Sequence, residues 1–84
     1  MIELETLRKK IIYRANYRGT KEMDILLSKF VDKYINKFSK EELEDFFDFL
    51  NIEDEIIYIF YQTKKIDKKI KKNKIFEIFS NFKL

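Results

Sequence analysis

The residues best suited to chemistry lie in one short run near the start of the chain, YRGTKEMD, at positions 17–24. The run holds the only glycine, Gly19, and one of just three arginines, whereas lysine supplies the other 15 basic side chains. A guanidinium can donate paired hydrogen bonds to a carboxylate, and a residue without Cβ lets another backbone come close. The pattern suggests the hypothesis of a contact site for another protein, in which Arg18 and Gly19 face outward and Glu22 pairs across the interface or orients Arg18.

The residues taken alone favour a simpler interpretation. Gly19 could be an ordinary helix-terminating glycine in the left-handed conformation, and Arg18 with Glu22 an exposed ion pair worth at most about 1 kcal/mol. Asp24 either contacts a partner or only complements the dipole at a helix N-terminus, and the sequence favours neither.

Aromatic side chains supply a second set of candidates. Tyrosines are common anchors at protein interfaces, but at helical spacing they more often bury their rings and leave the hydroxyl in water. We expect this buried arrangement for most of the four tyrosines near the helix ends, Tyr13, Tyr17, Tyr58 and Tyr61.

The residue inventory excludes most catalytic chemistry. The chain has no histidine and no cysteine, which removes imidazole and thiolate metal ligands, disulfides and the common nucleophile arrangements. Carboxylates such as Asp45 and Asp48 remain, but nothing places them in a cleft, and the acidic stretch 41–55 lacks the spacing of a calcium loop. We therefore predict that the chain is not an enzyme and has no metal site.

Length and charge indicate one small domain with two unlike parts. A chain of 84 residues with 45% hydrophobic residues has enough apolar material for one compact core. Residues 1–63 hold 10 basic and 13 acidic side chains, whereas residues 64–84 hold 8 basic and 2 acidic. We predict a single domain over residues 1–84 with a basic C-terminal segment from about residue 64.

Apolar residues at spacings of three and four predict an all-α fold, a compact bundle of five short helices. The first helix covers about 3–17, and Thr20 caps a second that ends near Phe38. Ser39 and Glu42 form a capping box that opens the third. The fourth ends near Thr63, and Asp67 caps the fifth. In the third helix we expect two buried rings, Phe46 and Phe47, and an exposed one, Phe49.

The first turns carry charged residues rather than a secretory leader, and no apolar run approaches the roughly 20 residues that cross a bilayer. These features favour a cytoplasmic protein without membrane insertion.

The segment from Tyr13 to Gln62 resembles the SdhE family, small helical flavinylation factors that assist covalent FAD attachment to the flavoprotein subunit of succinate dehydrogenase. The family motif, Arg-Gly-x-x-Glu continued by an apolar residue and Asp, is matched by Arg18, Gly19, Glu22 and Asp24. A second family feature, an acidic turn before an apolar helix with an aromatic residue about six positions on, is matched by Asp54 and Phe60.

The resemblance implies an assembly factor that binds the flavoprotein subunit of succinate dehydrogenase, with fumarate reductase as a further candidate. It implies that the chain acts on the partner's FAD and binds no cofactor stably itself. The implied partner-binding residues are Tyr17, Arg18, Gly19, Glu22, Asp24 and Asp54. We expect the free chain to be a monomer.

The basic C-terminal segment suggests alternatives, a small helical nucleic-acid-binding protein or an antitoxin-like protein. Seven lysines within residues 64–74 could follow a phosphate backbone. However, the segment has no arginine for base recognition and the rest of the chain is acidic. Nucleic acid is therefore the less favoured partner, and a solubilising role or steering toward an acidic partner is the plainer one.

Overall fold

Five segments with apolar residues at helical spacing fold into five helices in the computed structural model, which describes residues 3–83. They are α1 (Leu4–Asn16), α2 (Lys21–Tyr34), α3 (Lys40–Phe49), α4 (Asp54–Thr63) and α5 (Lys74–Asn81). No strand occurs among the residues described, and the predicted all-α fold is confirmed. The Cα radius of gyration, 11.9 Å, agrees with the roughly 12 Å expected for a compact domain of this length.

Two helices, α2 and α3, begin at the capping residues that the sequence predicts. The hydroxyl of Thr20 accepts a hydrogen bond from the amide of Met23 at 3.2 Å and opens α2. At α3, the Glu42 amide donates to the Ser39 hydroxyl at 3.2 Å and the Ser39 amide donates to the Glu42 carboxylate at 2.8 Å. Both halves of the predicted capping box are therefore present.

Two predicted boundaries are wrong. The helix α2 ends at Tyr34 and is followed by a turn in which the amides of Lys37 and Phe38 both donate to the Tyr34 carbonyl, at 2.8 and 3.2 Å. The helix α5 begins at Lys74, where the Asn73 side chain caps it. Asp67 instead accepts from the amide of Lys69 in an isolated turn, because the lysines that follow it would oppose the positive end of a helix dipole.

The core is built around the ring of Phe30 on α2, which is fully buried. Four other rings from α3, α5 and the segments beside them lie with centroids 5.1 to 6.3 Å from it: Phe38, Phe46, Phe79 and Phe82. The contacts with Phe46, Phe79 and Phe82 are edge-on, and such pairs add about 0.5–1.5 kcal/mol each to the free energy of burial. This cluster holds α2, α3 and α5 together, while α1 packs against α2 and α3.

The expectation for the phenylalanines of α3 is wrong for two of three rings. Phe49 is buried, with its ring 5.1 Å from that of Phe79. Phe47 is only half-buried, and the guanidinium of Arg14 lies 4.9 Å above its ring. The reason is that α5 packs on the side of α3 that carries Phe46 and Phe49, which are three residues apart.

Glu42 links the capping box to α5 and makes the stability of the fold pH-dependent. Its pKa lies below the usual 4.5, first because the Ser39 backbone amide donates to it and then because of Lys74, whose ammonium lies 3.1 Å away. A lowered pKa in the folded state contributes stability that is present above about pH 4.5 and is lost as the pH falls through the folded value.

We predict that Glu42→Gln, which keeps an acceptor oxygen but cannot titrate, lowers the free energy of unfolding at neutral pH by about 1 kcal/mol or less. The loss of stability on acidification should be shallower in the variant than in the wild type. Urea unfolding at neutral pH and at about pH 3 checks this. Parallel pH profiles would contradict the assigned role of the carboxylate.

Candidate functional site

The corner between α1 and α2, residues 17–20, is organised by an ion pair inside the fold. Arg18 donates from Nε to Oδ1 of Asp54 at 2.7 Å, and its Nη2 lies 2.6 Å from the same oxygen. The side chain of Arg18 is only 10% exposed and that of Asp54 25%. The prediction that the guanidinium faces outward is therefore wrong.

The other donors of Arg18 are also used within the fold. Its Nη1 donates to the carbonyls of Leu50 at 2.9 Å and Arg14 at 3.3 Å, and its Nη2 donates to the carbonyl of Ile52 at 3.3 Å. These carbonyls lie at the ends of α1 and α3, where helices leave backbone acceptors without partners. Each guanidinium nitrogen thus has an acceptor in the same chain, and none is left for a partner.

Two carboxylates hold the backbone of the corner. The amide of Gly19 donates to Oδ2 of Asp54 at 3.0 Å, and the amide of Arg18 donates to Oδ1 of Asp24 at 2.7 Å. Asp54 and Asp24 lie in the first turns of α4 and α2, where the helix dipole stabilises negative charge. The predicted site residues Arg18, Gly19, Asp24 and Asp54 are therefore brought together by direct contacts.

Gly19 is exposed at the surface of this corner. The φ angle of Gly19 is not positive, so the predicted left-handed conformation is wrong. The residue that caps the C-terminus of α1 is Tyr17, with φ −122° and ψ 65°. A Cβ built on Gly19 would have Asp54 Oδ2 as its nearest neighbour, at 3.7 Å, an ordinary contact. The folded chain itself could accept alanine here, so the missing side chain changes only what can approach from outside.

Glu22 lies beside the corner and stays free of the ion pair. It is exposed and forms no ion pair within residues 3–83, because Asp54 occupies the guanidinium that the sequence assigned to it. It lines a surface groove together with Thr20, Met23, Asp54, Glu55 and Tyr58. Glu22 and Tyr17 are the two predicted site residues whose side chains are open to solvent.

The backbone acceptors of the site were not identified from the sequence. The carbonyls of Leu50 and Ile52 belong to the turn after α3, a helix with no basic residue in its last turn. A helix whose last turn has no basic residue leaves its terminal carbonyls without a nearby cation. Such a helix end therefore indicates that a positive charge from elsewhere in the fold binds there. Arg18 supplies that charge, and Arg14 adds a hydrogen bond to the side chain of Asn51 in the same turn.

The tyrosines divide into two pairs. Tyr58 and Tyr61 are half-buried and pack against the core, as expected. Tyr13 and Tyr17 are 65% and 72% exposed, so the expectation of buried rings is wrong for them. The outward face of α1 is therefore more aromatic than the sequence pattern indicated.

The basic segment lies on the acidic part of the chain. Residues 64–73, which we call the lysine-rich loop, connect α4 to α5. Lys69 lies 2.8 Å from Glu53, which raises the pKa of this lysine, and Lys64 donates to the carbonyl of Ser80. Across residues 3–83 no group of three acidic side chains is placed to hold a metal ion, and no helix is long and apolar enough to span a membrane.

Comparison with known proteins gives one consistent family. The family model described as flavinator of succinate dehydrogenase matches residues 9–83. The chain is 39% identical over 64 residues to succinate dehydrogenase assembly factor 2, mitochondrial, of Scheffersomyces stipitis, covering 76% of this chain and 42% of that protein. The protein of the same name from Saccharomyces cerevisiae is 43% identical over 61 residues, covering 73% and 37%.

The protein of that name from Komagataella phaffii is 36% identical over 72 residues, covering 81% of this chain and 38% of the relative. The chain thus spans 37 to 42% of the length of these three relatives. Their names place those proteins in mitochondria, and this finding overturns the expectation of a cytoplasmic protein. Charged first turns and the lack of a long apolar run did not carry enough information to assign a compartment.

We predict that Arg18→Lys lowers the free energy of unfolding by about 1–3 kcal/mol, because an ammonium cannot reach Asp54 and all three backbone carbonyls together. Arg8→Lys is the matched control, since Arg8 pairs with the exposed Glu5 one turn away, and it should change stability by less than about 0.5 kcal/mol. Urea unfolding of the three proteins measures the difference. Equal stabilities of the two variants would show that Arg18 does not brace the fold.

Proposed function

The chain belongs to the family of succinate dehydrogenase flavinators, and from this premise we propose that it binds the flavoprotein subunit of succinate dehydrogenase and promotes covalent attachment of FAD. The relatives named above are succinate dehydrogenase assembly factors, which supports this role. The flavoprotein subunit is the part of that enzyme on which such a factor would act. FAD is then the partner's cofactor and not a resident of this chain.

The observation that carries the proposal is the exposed Gly19 on a braced corner. Its amide is held by Asp54 and the preceding amide by Asp24, so the backbone geometry is set before any partner arrives. A partner segment can approach closely because no side chain projects from Gly19. A surface that needs no ordering on binding loses less conformational entropy in the complex.

The chain's contribution is geometric. It contains no histidine or cysteine that could form a covalent bond to a flavin, and its arginine at the corner is engaged within the fold. We assign the bond-forming groups to the flavoprotein subunit and the positioning of that subunit to this chain. Arg18 is then a positioning residue, while Gly19, Glu22 and Tyr17 offer the contact surface.

Nucleic-acid binding is the weaker candidate because the lysines of the C-terminal segment are partly neutralised in place. Lys69 pairs with Glu53 and Lys74 with Glu42, so two of the cations face acidic groups of the same chain. The positive field available to a phosphate backbone is reduced accordingly.

The proposal is tested by expressing the flavoprotein subunit with and without this chain and measuring flavin that stays bound to the denatured polypeptide. We expect covalent flavin fluorescence to rise at least about tenfold when the chain is present. Equal fluorescence in both cultures, with the chain shown to be folded and abundant, would contradict the proposed function.

Two substitutions at Gly19 test its effect on stability and its effect on flavinylation separately. We predict that Gly19→Ala keeps or raises the free energy of unfolding by about 0.4–1 kcal/mol, because the backbone conformation suits alanine. The larger Gly19→Leu should lower covalent flavin by about tenfold, since its side chain blocks the approach to the corner. Asn36→Leu, which places the same side chain on the exposed turn after α2, should have no effect. Normal flavinylation with Gly19→Leu would remove Gly19 from the contact surface.

A further inference from the structure

The outward face of α1 carries an aromatic pair that the fold does not use. The rings of Tyr13 and Tyr17 lie with centroids 4.6 Å apart and are inclined by 38°. Both side chains are mostly exposed, and neither hydroxyl makes a hydrogen bond within residues 3–83. Their position one turn apart places both rings on the side opposite the buried residues of α1, Leu7, Ile11 and Ala15.

Cations flank the aromatic pair. A surface groove beside Tyr13 is lined by Thr6, Lys9, Lys10, Arg14 and the half-buried ring of Phe47. Lys9 and Lys10 form no ion pair in the described part of the chain. The outward face of α1 is therefore apolar at Tyr13 and Tyr17 and positively charged beside them.

This face is continuous with the proposed contact corner. Tyr17 directly precedes Arg18, and the carbonyl of Arg14 accepts a hydrogen bond from the Arg18 guanidinium, so the face and the corner share one rigid support. A partner that reaches Gly19 would cover Tyr17 as well, because the two residues are two positions apart on an exposed turn.

Exposed tyrosines next to the proposed contact corner indicate a protein-binding surface. Tyr and Arg are enriched among the residues that dominate binding energy at protein interfaces, since a rigid ring buries much area at small entropic cost. A pair of rings already in contact offers one preformed anchor rather than two mobile ones.

We propose that Tyr13 and Tyr17 form the main anchor for the flavoprotein subunit, inserting into an apolar recess of that subunit whose rim carries carboxylates facing Lys9 and Lys10. This inference rests on the proposed function and adds the partner's surface chemistry to it. The anchor supplies affinity, and the two lysines steer the approach of the acidic rim.

The test is the affinity of the 84-residue chain for the purified flavoprotein subunit, measured by biolayer interferometry. We expect Tyr13→Ala and Tyr17→Ala each to weaken binding by about tenfold or more, with the thermal midpoint of the free chain shifted by less than about 4 °C. Tyr13→Phe with Tyr17→Phe should retain most of the affinity. The control Ile66→Ala removes an exposed apolar side chain from the lysine-rich loop and should change nothing.

The role of Lys9 and Lys10 is tested separately, by the rate of association. Lys9→Glu with Lys10→Glu should slow association by about tenfold at low ionic strength, and the difference should shrink in high salt because screening removes steering. An effect of equal size at both salt concentrations would contradict an acidic rim.

Three outcomes would overturn the proposal. Unchanged affinity of the Tyr13→Ala/Tyr17→Ala double variant, with binding lost in Gly19→Leu, would place the contact at the corner and exclude the aromatic face. A double variant that alters only self-association in light scattering would assign the face to a second copy of this chain. No binding by the wild type at any salt concentration would refute the proposed function, and the anchor with it.

Discussion

The ion pair between Arg18 and Asp54 is the interaction on which the rest of the structure depends. It joins residues 36 positions apart and places one guanidinium among the carbonyls that end α1 and α3. Asp54 is the first residue of α4, and its carboxylate accepts a hydrogen bond from the amide of Gly19. The carboxylate of Asp24 on α2 accepts one from the amide of Arg18. Four of the five helices therefore meet at one group of charges, each located where the local helix dipole favours it.

This arrangement explains how an arginine whose side chain is only 10% exposed can fix the shape of the surface beside it. A desolvated guanidinium is stable only when its donors are satisfied, and here the partners are one carboxylate and three carbonyls. The result is a corner whose backbone is fixed while its outer side, with Gly19 and Tyr17, remains open.

Local signals predicted most of the fold, and non-local contacts account for the errors. The capping box of Ser39 and the cap at Thr20 involve residues three positions apart, so the sequence displays them directly. The resemblance to a family pointed to Arg18 and Asp54 separately, but no local pattern shows that they contact each other. The exposure of Phe49 was mispredicted for the same reason, since only the packing of α5 decides which side of α3 is covered.

The central claim is that the corner is held in place before a partner binds, and amide hydrogen exchange of the free chain tests it most directly. Gly19 is exposed, yet its amide donates to Asp54. Lys68 in the lysine-rich loop is also exposed, and its amide has no acceptor among residues 3–83. After correction for intrinsic rates, the Gly19 amide should exchange slower than that of Lys68 by about tenfold or more. Equal corrected rates would show that the ion pair does not hold the corner and would contradict the account.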